Sequence, residues 1–384
     1  MMLDERRIDQ STNASPTLGG GGRIQLPQRG RAGMQFLGAL QHYTGGELRS
    51  IARAEFEADP DGKAIIASND QPAGRSWRER VAERRAVAER HFSYQMERLY
   101  QRYVAEEIYI RGIPAIEQRR AQAEAFMTLP PGPRLGSLEL DPNLEMPRYY
   151  QDVEWHLMPG GWDSYDIMSP MMASGTAPLV FKRGGWAAVE VGDDNFQQRL
   201  DVANQFRTRF RNIYEPGSGG SHTLCMIHRV HPEAELHGSD LSAYLLTAGH
   251  ISAEKLRIPV HLKQRDSRNT REPSDHFEAV ITYALQHEMT VQCGIDTFRE
   301  MYRIMKPGGE IVVCDVPPFH AVSPFQSVIL DWDTKNRGEP FFSSTREIEW
   351  ADVMRDIGFI DVEAYSIGKV GYPYIQRARK PPAS

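Results

Sequence analysis

The stretch Asn212–Thr223, NIYEPGSGGSHT, constrains this chain more than any other. It opens apolar with Ile213 and Tyr214, reaches the acid Glu215, turns through Gly217, Gly219 and Gly220, and leads into the helix-like run LCMIHRV. Strand, acid, glycine-rich turn and helix in that order build a nucleotide-type site at the carboxyl edge of an α/β sheet. The glycines let backbone approach a ligand closely, and the helix N-terminus offers free N–H groups to an anionic group. A dinucleotide fingerprint requires glycine at the first, third and sixth positions. Counted from Gly217, the sixth position is His222, a large side chain where helix and strand should touch. The spacing therefore weakens the reading of an NAD(P)-dependent oxidoreductase.

The segments after the turn arrive in a telling order. AELHGSDLS reads as a second strand ending in Asp240, twenty-five residues beyond Glu215. A carboxylate at that strand end accepts from both hydroxyls of a ribose, and its neighbour Leu241 is placed to pack on an adenine face. IPVHLKQRD reads as a third strand ending at Asp266 and Ser267, where the exocyclic amine of adenine is expected. FEAVITYALQHE is a buried fourth strand with Tyr283–Glu288 at its carboxyl end. DTFREMYRIMKPGGEIVVCDV supplies an amphipathic helix, a Lys-Pro-Gly-Gly turn and a fifth strand.

This set resembles the class I (Rossmann-like) S-adenosylmethionine-dependent methyltransferases, over about residues 203–380. The resemblance implies an α/β fold with a seven-stranded sheet of order 3-2-1-4-5-7-6, the last strand antiparallel. It also implies that Glu215, Gly217 and Gly219 hold the methionine part of the cofactor, Asp240 the ribose and Asp266 the adenine. Two positions depart from the family pattern. Glu278 stands where an Asp often precedes the fourth strand, and Ser221 replaces a third glycine.

At 384 residues the chain is long for one core, and two domains are the default. Residues 1–33 are polar and glycine-rich and read as a tail. Residues 34–150 read as a helical N-terminal domain, 151–202 as an aromatic, glycine-rich connector or substrate lid, and 203–384 as the cofactor-binding domain. Asp59–Gly74 reads as a loop. Ser76 and Glu79 form a capping box that opens a long helix. In it Trp77, Val81, Ala88, Phe92, Leu99 and Tyr103 recur at helical spacing, so this face is expected to be buried, with a break at Gly112–Pro114. A homodimer through these helices is the simplest partner for such a stripe.

A formal charge of −6 and a pI near 6.1 give no basic footprint for nucleic acid. No apolar run reaches membrane-spanning length, and MMLDERRIDQ has no apolar signal core. The three cysteines show neither pairing nor metal spacing, which makes a cytoplasmic setting the expectation. The scattered histidines also show no metal-ligand spacing, so no metal is expected.

The chemistry expected is methyl transfer to a small-molecule acceptor, with oxygen the first choice of acceptor atom and nitrogen or carbon open. A cofactor-bound scaffold that works through its helical half is the rival of another class. His287, at the end of the fourth strand, is the candidate general base, with Glu288 orienting it or holding a substrate amine. The acceptor is expected beneath Glu154–Tyr165 and Phe319–Phe342, with His156, Trp162, Tyr165 and His320 as its contacts. Asp163 and Asp166 are further polar candidates, and His228, His231, His237, His250 and His261 are expected at surfaces or edges.

Overall fold

The protein is described from a computed structural model covering residues 23–68, 74–151, 153–163, 165–186, 188–189 and 194–383. Its centre is one mixed sheet. The strands are β1 (Ser137–Glu139), β2 (Asn212–Pro216), β3 (Glu235–Asp240), β4 (Val260–Gln264), β5 (Phe277–Tyr283), β6 (Met305–Asp315), β7 (Ile360–Ser366) and β8 (Tyr374–Arg379). Their order across the sheet is β1-β4-β3-β2-β5-β6-β8-β7, with β8 antiparallel to both neighbours. Apart from β1 this is the expected topology. The short β1, drawn from the Pro/Gly-rich connector, adds an eighth strand by pairing Ser137–Glu139 in parallel with His261–Lys263. Three residues carry no period that marks them as a strand; only the free edge of β4 makes them one.

The central strands are apolar throughout because helices cover both faces. Ile213 and Tyr214 in β2, Ala279–Ile281 in β5 and Ile311–Cys314 in β6 are buried. Parallel pairing of β2 with β3 and β5 brings the ends carrying Glu215, Asp240 and Tyr283 to one edge.

Among the described residues, six α-helices precede the sheet: α1 (Gln28–Tyr43), α2 (Arg49–Ala58), α3 (Pro60–Ala67), α4 (Trp77–Ala88), α5 (Phe92–Glu117) and α6 (Arg120–Phe126). The chain is already packed before Met34: Ile24 and Leu26 are buried, and the Ile24 N–H donates to Ser174 Oγ at 3.1 Å. The expected tail is therefore too long by residues 23–33; residues 1–22 lie outside the described ones. The expected loop at Asp59–Gly74 contains α3, started by Pro60 and capped by the Asp59 side chain.

The capping box at Ser76 is present, with Ser76 Oγ accepting from the Glu79 N–H at 3.3 Å. The long helix it was expected to open is instead two. The chain breaks at 89–91, where Arg90 pairs with Asp59 and Asp61, and α5 then continues through Gly112 and Pro114. A proline inside a helix costs about 3 kcal/mol; here the buried Ala115 and Ile116 anchor the turn that follows.

The first half of the expected face is buried, at Val81 and Ala88 with Trp77 half-buried, but the break reverses the face in α5. Phe92 is 73% exposed and Leu99 57%, and Tyr103 is at the exposed limit, whereas Tyr94, Glu97, Arg98 and Gln101 are buried. Glu97 sits between two cations, accepting from Arg49 at 2.9 Å and from Arg98. Hydrophobic periodicity points to the wrong face because the buried face of α5 is held by charge pairing.

The helices and the sheet share cores. Ala52, Phe56, Val87 and Tyr94 pack against Phe325, Val328 and Ile329 in the helix Pro324–Asn336, which lies inside the segment between β6 and β7. Met34, Leu37, Val104 and Ile108 pack against Trp155, Met168 and Met171 of the connector. The connector itself is largely helical from Met168 to Gly184, ten residues of it π-helical. Among the described residues, no helix is long and apolar enough to cross a membrane.

Candidate functional site

The carboxyl ends of β2, β3 and β5 open into one cavity of about 520 Å³. One wall is the turn after β2. Gly217 has φ +65°, and a Cβ there would come within 2.4 Å of Leu285 Cδ1; Gly219 has φ +46°. Both conformations are those that L side chains avoid. Asp240, at the end of β3, ties the turn down: its Oδ2 accepts from the Gly219 N–H at 2.9 Å and its Oδ1 from the Ser242 N–H at 2.8 Å. Burial nevertheless pushes its pKa up to about 6.

Glu215 is 1% exposed, its Oε2 has no hydrogen-bond partner, and burial pushes its pKa up to about 8. Arg199, in the helix Asn195–Ala203, also lines the cavity; its guanidinium lies 4.0 Å from the Tyr283 ring centroid and its Nε is unpartnered. A buried acid and a half-buried cation, each with an unpaired buried atom, fit the ammonium and carboxylate of an amino acid. An acid at a strand end beside Leu241 fits a ribose and its base. The residues present therefore suit a cofactor that is amino acid at one end and nucleoside at the other. Arg199 was missed in the sequence because it precedes β2, outside the strand–turn–helix pattern.

Most of the expected residues meet here. Glu215, Gly217, Gly219, Asp240, Leu241, Ser267, Tyr283, His287, Glu288, His156 and Trp162 all line the cavity. Three do not. Asp266 is turned away into a bidentate pairing with Arg268 and bridges to Asn269, so the adenine side is left to Leu241 and Ser267. Tyr165 faces α5, donating to Glu117 at 2.7 Å. His320 stays near the surface, 3.2 Å from Glu349. Among the further polar candidates, Asp163 accepts from Ser242 Oγ at 2.6 Å and from Tyr150 at 2.8 Å, clamping the connector beside the β3 end. Asp166 pairs with Arg120. His231 and His250 are buried rather than at surfaces or edges.

The opposite wall is a chain of alternating charge. Arg346, 1% exposed, lies 3.3 Å from Asp315. Asp315 Oδ1 lies 2.6 Å from His287 Nδ1, and His287 Nε2 is 3.5 Å from Glu288 Oε1. Glu288 Oε1 is also 3.0 Å from His156 Nε2, and His156 Nδ1 is 2.7 Å from Glu339 Oε1. Burial alone would lower the pKa of His287, but Asp315 and Glu288 raise it to about 10. The same pairing holds Asp315 well below the usual carboxylate range against its own burial. His156 is raised by its two glutamates, against burial. The carboxylates thus favour the protonated form of both imidazoles. His156 keeps its place at φ +53°, an uncommon backbone for a residue with a side chain. Its ring stands edge-on to Trp162 at 5.0 Å.

The remaining walls are apolar and come from segments far apart in the chain: Ile108 and Tyr109 of α5, Phe126 of α6, Met158, Met168 and Phe181 of the connector, and Phe342. The sequence points to the connector and to the segment after β6. The stripe chosen in α5 was Phe92, Leu99 and Tyr103, whereas the inward repeat is Val104, Ala105, Ile108, Tyr109, Ala115 and Ile116.

Comparison with known proteins bears on this cavity. A family model described as a methyltransferase domain matches residues 213–309. A demethylmenaquinone methyltransferase of a Geobacillus species is 25% identical over 162 residues, 38% of this chain and 68% of that protein. A ubiquinone/menaquinone biosynthesis C-methyltransferase of Desulfotalea psychrophila is 24% identical over 229 residues, 54% of this chain and 83% of that protein. Among solved structures, a phosphoethanolamine N-methyltransferase of Haemonchus contortus in complex with S-adenosyl-L-methionine has a TM-score of 0.37 and 14% identity over 52% of this chain. An O-methyltransferase family protein of Burkholderia thailandensis has a TM-score of 0.40 and 21% identity over 49% of this chain. The chain spans about half the length of each of these two, 53% and 56%.

Proposed function

This chain carries a class I methyltransferase domain whose cofactor is S-adenosylmethionine, and we propose that the whole protein transfers the cofactor's methyl group to a small, largely apolar acceptor bearing a hydroxyl. The observation that carries the reading is one cavity with the Glu215–Asp240 cradle on one wall and the His287–Glu288–His156 chain on the other. An enclosed volume of this size, walled by aromatic and methionine side chains with few polar groups, suits a small molecule. The relative named as a C-methyltransferase keeps a carbon acceptor as the second reading.

When bound, S-adenosylmethionine supplies a methyl group that is already electrophilic. The protein's part is placement. Glu215 and Arg199 would take the amino acid end and Asp240 the ribose. Connector and insertion would exclude water and hold the acceptor in line, an effect that can lower a barrier by several kcal/mol.

His287 suits a different role from the base that its position suggests. With its pKa raised to about 10 it is already protonated at neutral pH, so it has no lone pair for an acceptor proton. Its Nε2, at 3.5 Å from Glu288, is free to turn toward a developing oxyanion. A phenol-like hydroxyl, ionised in part in water and stabilised by this cation, fits best. The test is calorimetry with S-adenosylhomocysteine and with NAD, followed by methyl transfer to a panel of phenols. Binding of NAD alone would end the reading. The exposed row Phe92, Leu99 and Ile110 on α5 is what supports a homodimer.

A further inference from the structure

The cavity has an end that methyl transfer itself does not use. His156 spends its two ring nitrogens on one oxygen of each flanking carboxylate, Glu288 Oε1 at 3.0 Å and Glu339 Oε1 at 2.7 Å. The second oxygens, Glu288 Oε2 and Glu339 Oε2, are buried and have no hydrogen-bond partner. Asp333, one helix turn before Arg337, adds a third such atom, its Oδ1. Glu339 and Asp333 are each 6% exposed, and all three residues line the cavity. The neighbouring cation Arg337 spends Nη1 on Gln101 at 3.2 Å.

Buried acceptors without donors are costly, about 1–3 kcal/mol each, and three around one end of a cavity form a pattern. Unpaired donors are found elsewhere in the cavity wall, at Arg199 and Arg265 on the cofactor side. Every unpartnered polar atom that Glu288, Glu339 and Asp333 bring is an acceptor. The group that completes this end is therefore a hydrogen-bond donor, or a cation for which His156, Glu288 and Glu339, with ligand atoms within 4.8 Å of one another, would serve as ligands. The charges here are already offset by His156, His287, Arg337 and Arg346, so a net cation is not required; a neutral hydroxyl satisfies the same atoms as an ammonium.

We propose that Glu288, Glu339 and Asp333 form a second recognition subsite for a hydrogen-bond-donating group, hydroxyl or ammonium, on the far side of the acceptor from the methylated atom. The subsite rests on the methyl-transfer reading for its role and adds a selection rule: the acceptor carries donors at two places, with an apolar body between them against Tyr109 and Met158. An acceptor lacking the distal donor leaves these oxygens unpaired, and polar sites reject such analogues far more strongly than apolar pockets reject a missing methylene.

Three probes of similar size test this: 4-hydroxybenzyl alcohol, tyramine and 4-ethylphenol, the last keeping the phenol but lacking a distal donor. Trp155 and Trp162 line the cavity and report binding by fluorescence. Each probe is titrated into the full chain with and without S-adenosylhomocysteine. The expected result is at least ten-fold tighter binding of one or both probes with a distal donor than of 4-ethylphenol. Whichever of the two binds tighter identifies the head as hydroxyl or ammonium. Glu339→Gln and Asp333→Asn should each cut that preference about three-fold or more, with S-adenosylhomocysteine affinity and circular dichroism unchanged. Equal affinity for all three probes in the wild-type chain overturns the subsite, and needs no variant to fold. An unchanged preference in both folded variants overturns it as well. Failure of S-adenosylhomocysteine to bind would instead sink the functional reading, and the subsite would still be decided by the three probes alone.

Discussion

The two ends of the cavity are built on different principles. At the cofactor end, a short contiguous stretch does most of the work: the turn after β2 and the end of β3 are fixed by strand pairing, by Gly217 and Gly219, and by the Asp240 carboxylate on a backbone N–H. At the roof end, Asp315, His287, Glu288, His156 and Glu339 come from four separate segments and hold one another. A motif tolerates the loss of one side chain because backbone carries its shape. A network of buried charges does not, because each member is the counter-ion of the next. Substitution of Asp240 should register in cofactor binding and that of Asp315, inside the chain of counter-ions, in stability, whereas Glu339, at the open end of that chain, should register in acceptor binding.

The largest effect is expected at Asp315. Asp315→Asn leaves the His287 and Arg346 cations without their shared partner, and removing one member of a buried pair costs about 3–5 kcal/mol. Urea denaturation near pH 6 measures this. The depressed Asp315 pKa makes its contribution present above the ordinary carboxylate range and lost as pH falls through the folded value. The raised His287 pKa makes the pairing fully present below about 6.5 and lost as pH climbs through about 10. The gap between wild type and variant should therefore narrow toward pH 10; a gap that is constant from pH 6 to 10 would show that the pair does not carry it.

At the other end, Asp240→Ala should weaken S-adenosylhomocysteine binding by about 1.5–3 kcal/mol for each lost charge-assisted bond, with the denaturation midpoint moving much less than for Asp315→Asn. Calorimetry showing unchanged affinity would remove Asp240 from the cofactor site.

Glu215→Gln separates the two kinds of effect within one residue. The folded pKa of Glu215, about 8, lies above the ordinary carboxylate value. Its charge therefore opposes folding increasingly as pH rises from the ordinary range to about 8. The amide should raise the stability of the cofactor-free protein at pH 8 by about 1–2 kcal/mol and leave it nearly unchanged at pH 4, while weakening cofactor binding. A lower melting temperature at pH 8 would contradict the buried, unpaired carboxylate.

The smallest change is expected on α5. Leu99→Ser should alter monomer stability by no more than about 0.5 kcal/mol, since Leu99 is exposed. Sedimentation of wild type and variant decides the homodimer: a wild-type chain that is monomeric throughout removes it.

The residues legible in the sequence were those whose function needs a local pattern. A glycine turn between a strand and a helix, an acid at the next strand end and a buried fourth strand are each set by neighbours in the chain, so Glu215, Gly219, Asp240 and Tyr283 could be named from spacing alone. The order of the central strands was what the resemblance to class I methyltransferases implies. Asp266 shows the limit even there. The end of β4 was read correctly to within two residues, but an Arg two positions on was enough to turn the carboxylate out of the site.

What only the tertiary structure decided was everything held by long-range charge. The buried face of α5 is chosen by Glu97 between Arg49 and Arg98, so Phe92 and Leu99 point outward against their hydrophobic pattern. The protonation of His287 depends on Asp315, twenty-eight residues away, and the place of His156 on Glu288 and Glu339. Periodicity records how a segment meets water on average. It cannot record which counter-ion will meet a charge once the chain has closed, and in a low-dielectric interior a charge left without that partner costs about 3–5 kcal/mol.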